Sequence, residues 1–140
     1  MDPSRLLGTW DFHREVRDHR DGTEYDASGK AMFTPEGDGR IRWAEEGTLR
    51  WADRSTPVNR TLFLVRGPSA AAAPPSGWRV TFEDGRDFHP WTARPVEHAC
   101  GRDLYEGMVA PGSGSIWTIR WQVTGPAKDY TMVTRYSRAE

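Results

Sequence analysis

Hydrophobic and polar residues alternate with a period of two along most of the chain, and no stretch keeps the spacing of an amphipathic helix over several turns. Trp117, Ile119, Trp121 and Val123, for example, alternate with Thr118, Arg120 and Gln122. Turn signals recur at Asp21-Gly22, Gly37-Asp38-Gly39, Asp84-Gly85, Gly112-Ser113-Gly114 and Gly125-Pro126. Between them lie segments rich in Trp, Tyr, Thr, Val and Ile, which fit a pleated surface. The pattern predicts about nine strands, near 9–17, 25–34, 39–51, 58–66, 77–83, 86–91, 96–109, 115–124 and 128–138. Joined by hairpins, these make an all-β, antiparallel up-and-down β-barrel, because closure removes exposed strand edges. The length, 140 residues, suits one barrel domain over 1–140 with a core that needs no disulfide or metal. Ser69–Pro75, four alanines and two prolines, is expected as a loop at one barrel end. Pro3-Ser4 ahead of Arg5-Leu6-Leu7 predicts a helical turn that plugs the bottom.

Strand phase assigns the faces. In 39–51, Ile41, Trp43, Glu45, Gly47, Leu49 and Trp51 share one face, so Glu45 lies on the apolar side. In the first strand Trp10, Phe12, Arg14 and Val16 point inward, opposite Asp11, His13 and Glu15. The last strand turns Tyr130, Met132, Thr134 and Tyr136 inward. A two-residue turn at Asp84-Gly85 pairs Glu83 with Arg86, Phe82 with Asp87, Val80 with His89 and Trp78 with Trp91. That register brings Asp87, His89 and Trp91 inside and leaves Glu83–Arg86 as an exposed ion pair, whereas a three-residue loop reverses the phase. Phe63, Val65 and Phe88 then point outward and make a homodimer through a barrel face an expectation. Polar groups buried without partners cost roughly 2–7 kcal/mol each. The inward Arg14, Glu45, Asp87, His89, Tyr105 and Tyr136 therefore have to meet one another, water or a ligand. The candidate ligand-binding residues are Arg14, Trp43, Glu45, His89, Tyr105, Trp121 and Tyr136.

Charge narrows the partners. Lys+Arg number 19 against 20 Asp+Glu and are scattered, which argues against nucleic acid, since phosphate binding needs a concentrated cationic surface. Arg40, Arg42 and Arg50 share a face, but Glu24, Glu46 and Asp53 lie close by in sequence, so that face reads as solvated surface. The single cysteine, Cys100, permits no intrachain disulfide and gives no sign of an oxidising compartment. The first residues lack the apolar core of a signal peptide, and no apolar run reaches membrane-spanning length. The expectation is a cytoplasmic protein with no membrane partner. Scarce lysine beside common arginine, alanine and glycine suggests a high-GC bacterial source.

Gly8-Thr9-Trp10 resembles the Gly-x-Trp signature of the lipocalin and calycin group. That resemblance implies a tryptophan closing the barrel base and an Arg or Lys near the end of the last strand packed across it, with Arg135 and Arg138 the matching positions. A wider likeness rests on Leu7-Gly8-Thr9-Trp10, Asp84-Gly85-Arg86-Asp87-Phe88-His89, His98-x-Cys100-Gly101-x-Asp103-Leu104-Tyr105 and Gly125-Pro126-x-Lys128-Asp129-Tyr130. In these the chain resembles a small bacterial family of unknown function. The resemblance implies a calycin-like protein and carries no activity or substrate with it.

His98, Cys100 and either His89 or Asp103 have the residue types of a zinc site, but four ligands at paired spacing are missing and no metal is expected. Haem ligation through His89 or His98 is likewise not favoured, and no cofactor is expected. Cys100 with His98 is a poor nucleophile and base, because residues i and i+2 of one strand do not hold sulfur and nitrogen in a dependable hydrogen bond. A buried or half-buried inert thiol is the expectation. The leading functional reading is a barrel holding a small, largely apolar ligand with a few polar contacts. Its alternative is a cofactor-independent isomerase or cyclase of a bacterial biosynthetic pathway, with Arg14, Glu45, His89 and Tyr105 moving protons. A third is an interaction module whose barrel is filled solid by tryptophan.

Overall fold

In the computed structural model, which describes residues 1–67 and 77–139, the alternation resolves into ten strands. They are β1 (Gly8–Asp18), β2 (Glu24–Pro35), β3 (Ile41–Trp51), β4 (Arg54–Arg66), β5 (Trp78–Phe82), β6 (Asp87–Pro90), β7 (Val96–Cys100), β8 (Asp103–Pro111), β9 (Ile116–Thr124) and β10 (Asp129–Arg138). All pair antiparallel in one sheet of order β6-β5-β4-β3-β2-β1-β10-β9-β8-β7. Because β1 bonds to both β2 and β10, the first and last long strands meet and the sheet rolls into a nearly closed, calycin-like barrel. The seam lies between β6 and β7, where no hydrogen-bonded ladder runs among the described residues. Ring contacts bridge it instead: His98 of β7 meets Phe88 of β6 and Phe82 of β5 with centroids 5.3 and 5.6 Å apart.

The count is ten and not nine because 96–109 is a hairpin. Gly101, with φ +61, turns the chain so that Cys100 pairs with Asp103. The loop expected over Ser69–Pro75 lies outside the described residues.

The barrel base is a tryptophan plug. A 3-10 helix, Pro3–Leu6, is capped by Asp2, whose carboxylate accepts from the Ser4 amide at 2.9 Å. Trp10 donates its indole N–H to the Leu6 carbonyl at 2.7 Å. Arg138, not Arg135, lies across Trp10 at 4.0 Å and donates to the carbonyls of Leu7 and Arg5 at 2.9 and 2.8 Å. Arg135 is exposed on the outer face. Trp10, Trp43, Trp91, Trp117, Phe33 and Tyr136 are all fully buried in the lower half. Trp117 stacks on Tyr136 at 4.0 Å while Trp10 and Trp43 meet Trp117 edge-on. Such pairs add roughly 0.5–1.5 kcal/mol each beyond their buried area.

The β5–β6 hairpin departs from the expected register in two places that cancel. The loop has three residues, Glu83-Asp84-Gly85, and the Phe82 amide donates to the Arg86 carbonyl at 2.8 Å. A β-bulge then leaves Phe88 as the extra residue between the pairs Thr81–Asp87 and Val80–His89. His89 therefore regains its inward phase, as expected. Asp87 does not: it shares a face with Arg79 and accepts from Arg79 Nε at 3.0 Å. Phe88 turns inward to stack on Trp121 instead of facing solvent. Arg86 pairs with Asp84, not with Glu83. Phe63 faces outward but is buried beneath the Arg40 guanidinium, 4.0 Å from its ring, so it offers no open apolar patch.

Candidate functional site

Register, not sequence proximity, assembles the interior. Arg14 on β1 sits beside Thr134 on β10, Glu45 on β3 sits beside Arg60 on β4, and Tyr136 lies one inward step below Thr134. Glu45, 2% exposed, becomes the hub. Its Oε1 accepts from Arg14 Nη2 at 2.8 Å and Arg60 Nε at 3.1 Å. Its Oε2 accepts from Trp43 Nε1 at 3.0 Å and from the Tyr136 hydroxyl. Arg14 also donates to Thr134 Oγ1 at 2.7 Å and to Tyr136 Oη at 3.3 Å. Burial opposes ionisation of Glu45, but Arg60, Arg14 and the Tyr136 hydroxyl outweigh it and hold the carboxyl at about 2. Tyr136 is pushed up, by burial first and by the Glu45 carboxylate next. Burial likewise opposes the charge of Arg60, and the Glu45 carboxylate more than restores it. Breaking one member out of such a buried, fully bonded set is costly because it strands the others.

Four of the seven residues expected from sequence, Arg14, Trp43, Glu45 and Tyr136, thus converge on one carboxylate. Arg60 and Thr134 are not among the seven. Strand phase places Thr134 inward without singling it out. Arg60 shares parity with the buried Leu62 and Leu64, yet the unbroken run Leu62-Phe63-Leu64, buried throughout, hides the alternation that would phase it.

His89 and Trp121 belong to a second, aromatic group. Phe82, Phe88 and Trp121 form a near-parallel ladder, with centroids 4.6 and 5.1 Å apart and planes within 14° and 12°. His89, buried, lies edge-on to Trp121 at 5.2 Å, and its Nδ1 is 2.9 Å from the Pro90 carbonyl. A carbonyl only accepts, so in the neutral ring Nδ1 carries the proton and Nε2 is the acceptor. Burial pulls this imidazole down to about 4; the Pro90 carbonyl resists, and the positive charge of Arg60 adds to the depression. Tyr105 is half-buried nearer the mouth, with Lys128 Nζ 3.4 Å from its hydroxyl and Lys128 paired to Asp103 at 3.0 Å. The Lys128 ammonium is raised by Asp103 and Tyr105, and burial together with Tyr105 pushes Tyr130 up to about 12.

Above the lower core the interior side chains are less completely buried. Leu49, Phe82, Phe88, Tyr105, Tyr130 and Met132 pack against the core yet stay only partly buried. Arg60 is the wettest member of the network, 30% exposed against 12% for Arg14. At neutral pH the interior therefore offers an ionised carboxylate already holding four donors, a neutral histidine and two guanidiniums. That arrangement grips charge and polar groups; it leaves Glu45 little capacity to accept a proton.

The residue groups weighed as metal or nucleophile candidates lie as follows. Among the described residues His89, His98, Cys100 and Asp103 bring no three ligand atoms within 4.8 Å of one another. Cys100 is exposed, not buried or half-buried, because the Gly101 turn puts it at a hairpin end. The group that does satisfy that distance is His13, Glu15 and Asp26 on the outer face, where His13 and Asp26 pair directly. A recess of about 720 Å³ runs beside it, lined by Glu15, Arg17, Asp26, Arg50 and Arg120 and also by Val16, Tyr25 and Trp51.

Fold and interior together define a nearly closed antiparallel β-barrel with a plugged base and a buried polar network on one carboxylate. By sequence the chain belongs to the family of unknown function DUF6314, whose model matches residues 6–138. No curated protein matches it in sequence. Among solved structures, an S-type phycobiliprotein lyase, CPES, from Guillardia theta is similar with TM-score 0.68 at 11% identity, covering 99% of this chain and 90% of that one. A de novo designed fluorescence-activating β-barrel is similar with TM-score 0.52 at 18% identity, covering 98% and 96%. The redesigned barrel mFAP0, solved bound to DFHBI, is similar with TM-score 0.52 at 13% identity, covering 96% and 99%. At these identities the likeness is one of fold.

Proposed function

We propose that the protein binds a small, largely apolar molecule in the upper half of its barrel. The observation that carries this reading is the set of inward-facing apolar side chains, Leu49, Phe82, Phe88 and Met132, left partly exposed around a buried polar network. A mostly apolar hollow with a few convergent polar groups is the usual make-up of a small-molecule site. That a similar barrel was solved holding DFHBI supports the capacity of this architecture for such a guest. In this reading Arg60, Arg14, Tyr105 and the aromatic ladder touch the ligand. Trp43 and Tyr136, 1% and 0% exposed, position Glu45 and stay out of contact. His89 keeps a neutral acceptor in the wall.

The test is native mass spectrometry of the protein purified from its own host, beside its denatured mass. A retained small molecule, lost in a Met132→Trp variant of unchanged circular dichroism, is the expected result. A bare mass, together with tryptophan emission that ignores a library of apolar probes, would overturn it.

A further inference from the structure

We propose that the molecule held in the upper barrel carries a carboxylate, seated on the guanidinium of Arg60, and a planar apolar body laid along the Phe82–Phe88–Trp121 ladder. This rests on the upper barrel being a ligand site.

The argument begins with charge. The network contains two guanidiniums and one carboxylate, and its remaining members, Thr134, Trp43 and Tyr136, are neutral. One positive charge is therefore in excess within a largely dehydrated interior, where an unmatched ion is costly. Among the described residues neither Arg14 nor Arg60 forms a salt bridge with any carboxylate but Glu45. His89, which feels the field of Arg60, is neutral and supplies nothing to balance it. The mouth is different: Lys128 is matched by Asp103. The excess thus lies at the floor, where a ligand's buried end would sit.

Geometry agrees with charge. Arg60 commits Nε to Glu45, bonds the Tyr136 hydroxyl and packs over the Trp43 ring, yet its side chain remains 30% exposed, so part of the guanidinium can still be reached by a ligand. A guanidinium fits a carboxylate with two parallel hydrogen bonds, which a neutral hydroxyl cannot accept in the same way. Beside it, three rings lie nearly parallel, and the outermost, Phe82, is only half-buried. Arg86 lies over the outer face of Phe82 at 5.1 Å and Gly107 lies under Trp121, so a flat body meets the ladder along its ring edges, where edge-to-face contact adds to simple burial.

Two matched probe pairs read headgroup and body separately: 1-naphthaleneacetate against 1-naphthaleneethanol, and 1-pyrenebutyrate against 1-pyrenebutanol, each titrated by tryptophan quenching. The acid of each pair is expected to bind at least about tenfold more tightly than its alcohol. In Arg60→Gln the preference should vanish while the alcohols bind as before, and Arg60→Lys should keep some of it. Equal binding of acid and alcohol to the unaltered protein overturns the carboxylate while leaving the upper barrel a ligand site. Binding of none of the four overturns both. Acid preference that survives in Arg60→Gln would move the seat away from Arg60 and overturn the assignment.

Discussion

Glu45 and His89 share one interior and answer burial in opposite ways. Glu45 stays charged because two guanidiniums and two neutral donors surround it; His89 stays neutral because burial outweighs the single Pro90 carbonyl that favours its cation. Both make the fold sensitive to acid. An unfolded chain protonates its histidine near 6.5, whereas the folded protein resists until about 4, so the unfolded state binds the extra proton between those values. The His89 contribution is complete above pH 6.5 and is lost as pH falls toward 4. Glu45 is depressed from 4.5 to about 2, so its contribution is complete above pH 4.5 and is lost as pH falls toward 2. Each loss amounts to about 3 kcal/mol. Urea unfolding midpoints measured from pH 8 to pH 3 should fall in two successive windows, and His89→Gln should flatten the upper one alone. If that variant still loses stability between pH 6.5 and 4.5 at the wild-type slope, the buried imidazole is not the source.

At the scale of elements, the bulge in β6 matters most to the interior. It inserts Phe88 between Phe82 and Trp121, and it holds His89 on the inward face despite a loop one residue longer than the turn signal suggests. Phe88→Ala should cost about 2–3 kcal/mol, less than the 3–5 of a fully buried phenylalanine, and should shift Trp121 emission to the red as water reaches the ring. On the facing strand β8, Gly107 lies under the Trp121 ring with no room for a Cβ. Gly107→Ala should therefore destabilise by about 1–3 kcal/mol through overpacking, without the red shift. A Phe88→Ala variant of native stability and unchanged emission would show that the ladder contributes nothing to the fold. These elements also mark where sequence reasoning reaches and where it stops. Period-two phasing places Arg14, Glu45, Thr134 and Tyr136 inside because β1, β3 and β10 are long and regular. It misplaces Asp87 and Phe88 because a bulge shifts phase without a compositional sign. It passes over Arg60 because β4 buries Leu62, Phe63 and Leu64 in succession, Phe63 being covered by Arg40 from outside. It reads β7 and β8 as one strand because Gly101-Arg102 is a weaker turn signal than Asp84-Gly85.

For the molecule as a whole, the seam between β6 and β7 is the weak line of the barrel. Every other junction is a ladder of main-chain hydrogen bonds, the longest of them between β1, β2, β3 and β4. The seam is closed by Phe82, Phe88, His98, Tyr105 and Trp121, whose contacts are non-directional and can separate singly. Both strands are also short, four and five residues, so few bonds hold each to its remaining neighbour. Local opening draws on regions with few protected hydrogen bonds, well below the free energy of global unfolding. Hydrogen exchange read by mass spectrometry should accordingly show amides of β6 and β7 exchanging orders of magnitude faster than those of β1 and β2. The same aromatic rings belong to the proposed ligand site, so a bound guest should slow exchange at the seam more than elsewhere, by coupling closure to occupancy. Uniform protection around the barrel, with or without a bound probe, would mean that the ring contacts seal the seam as firmly as a ladder and that a guest reaches the proposed site through the mouth beside Lys128 and Tyr105.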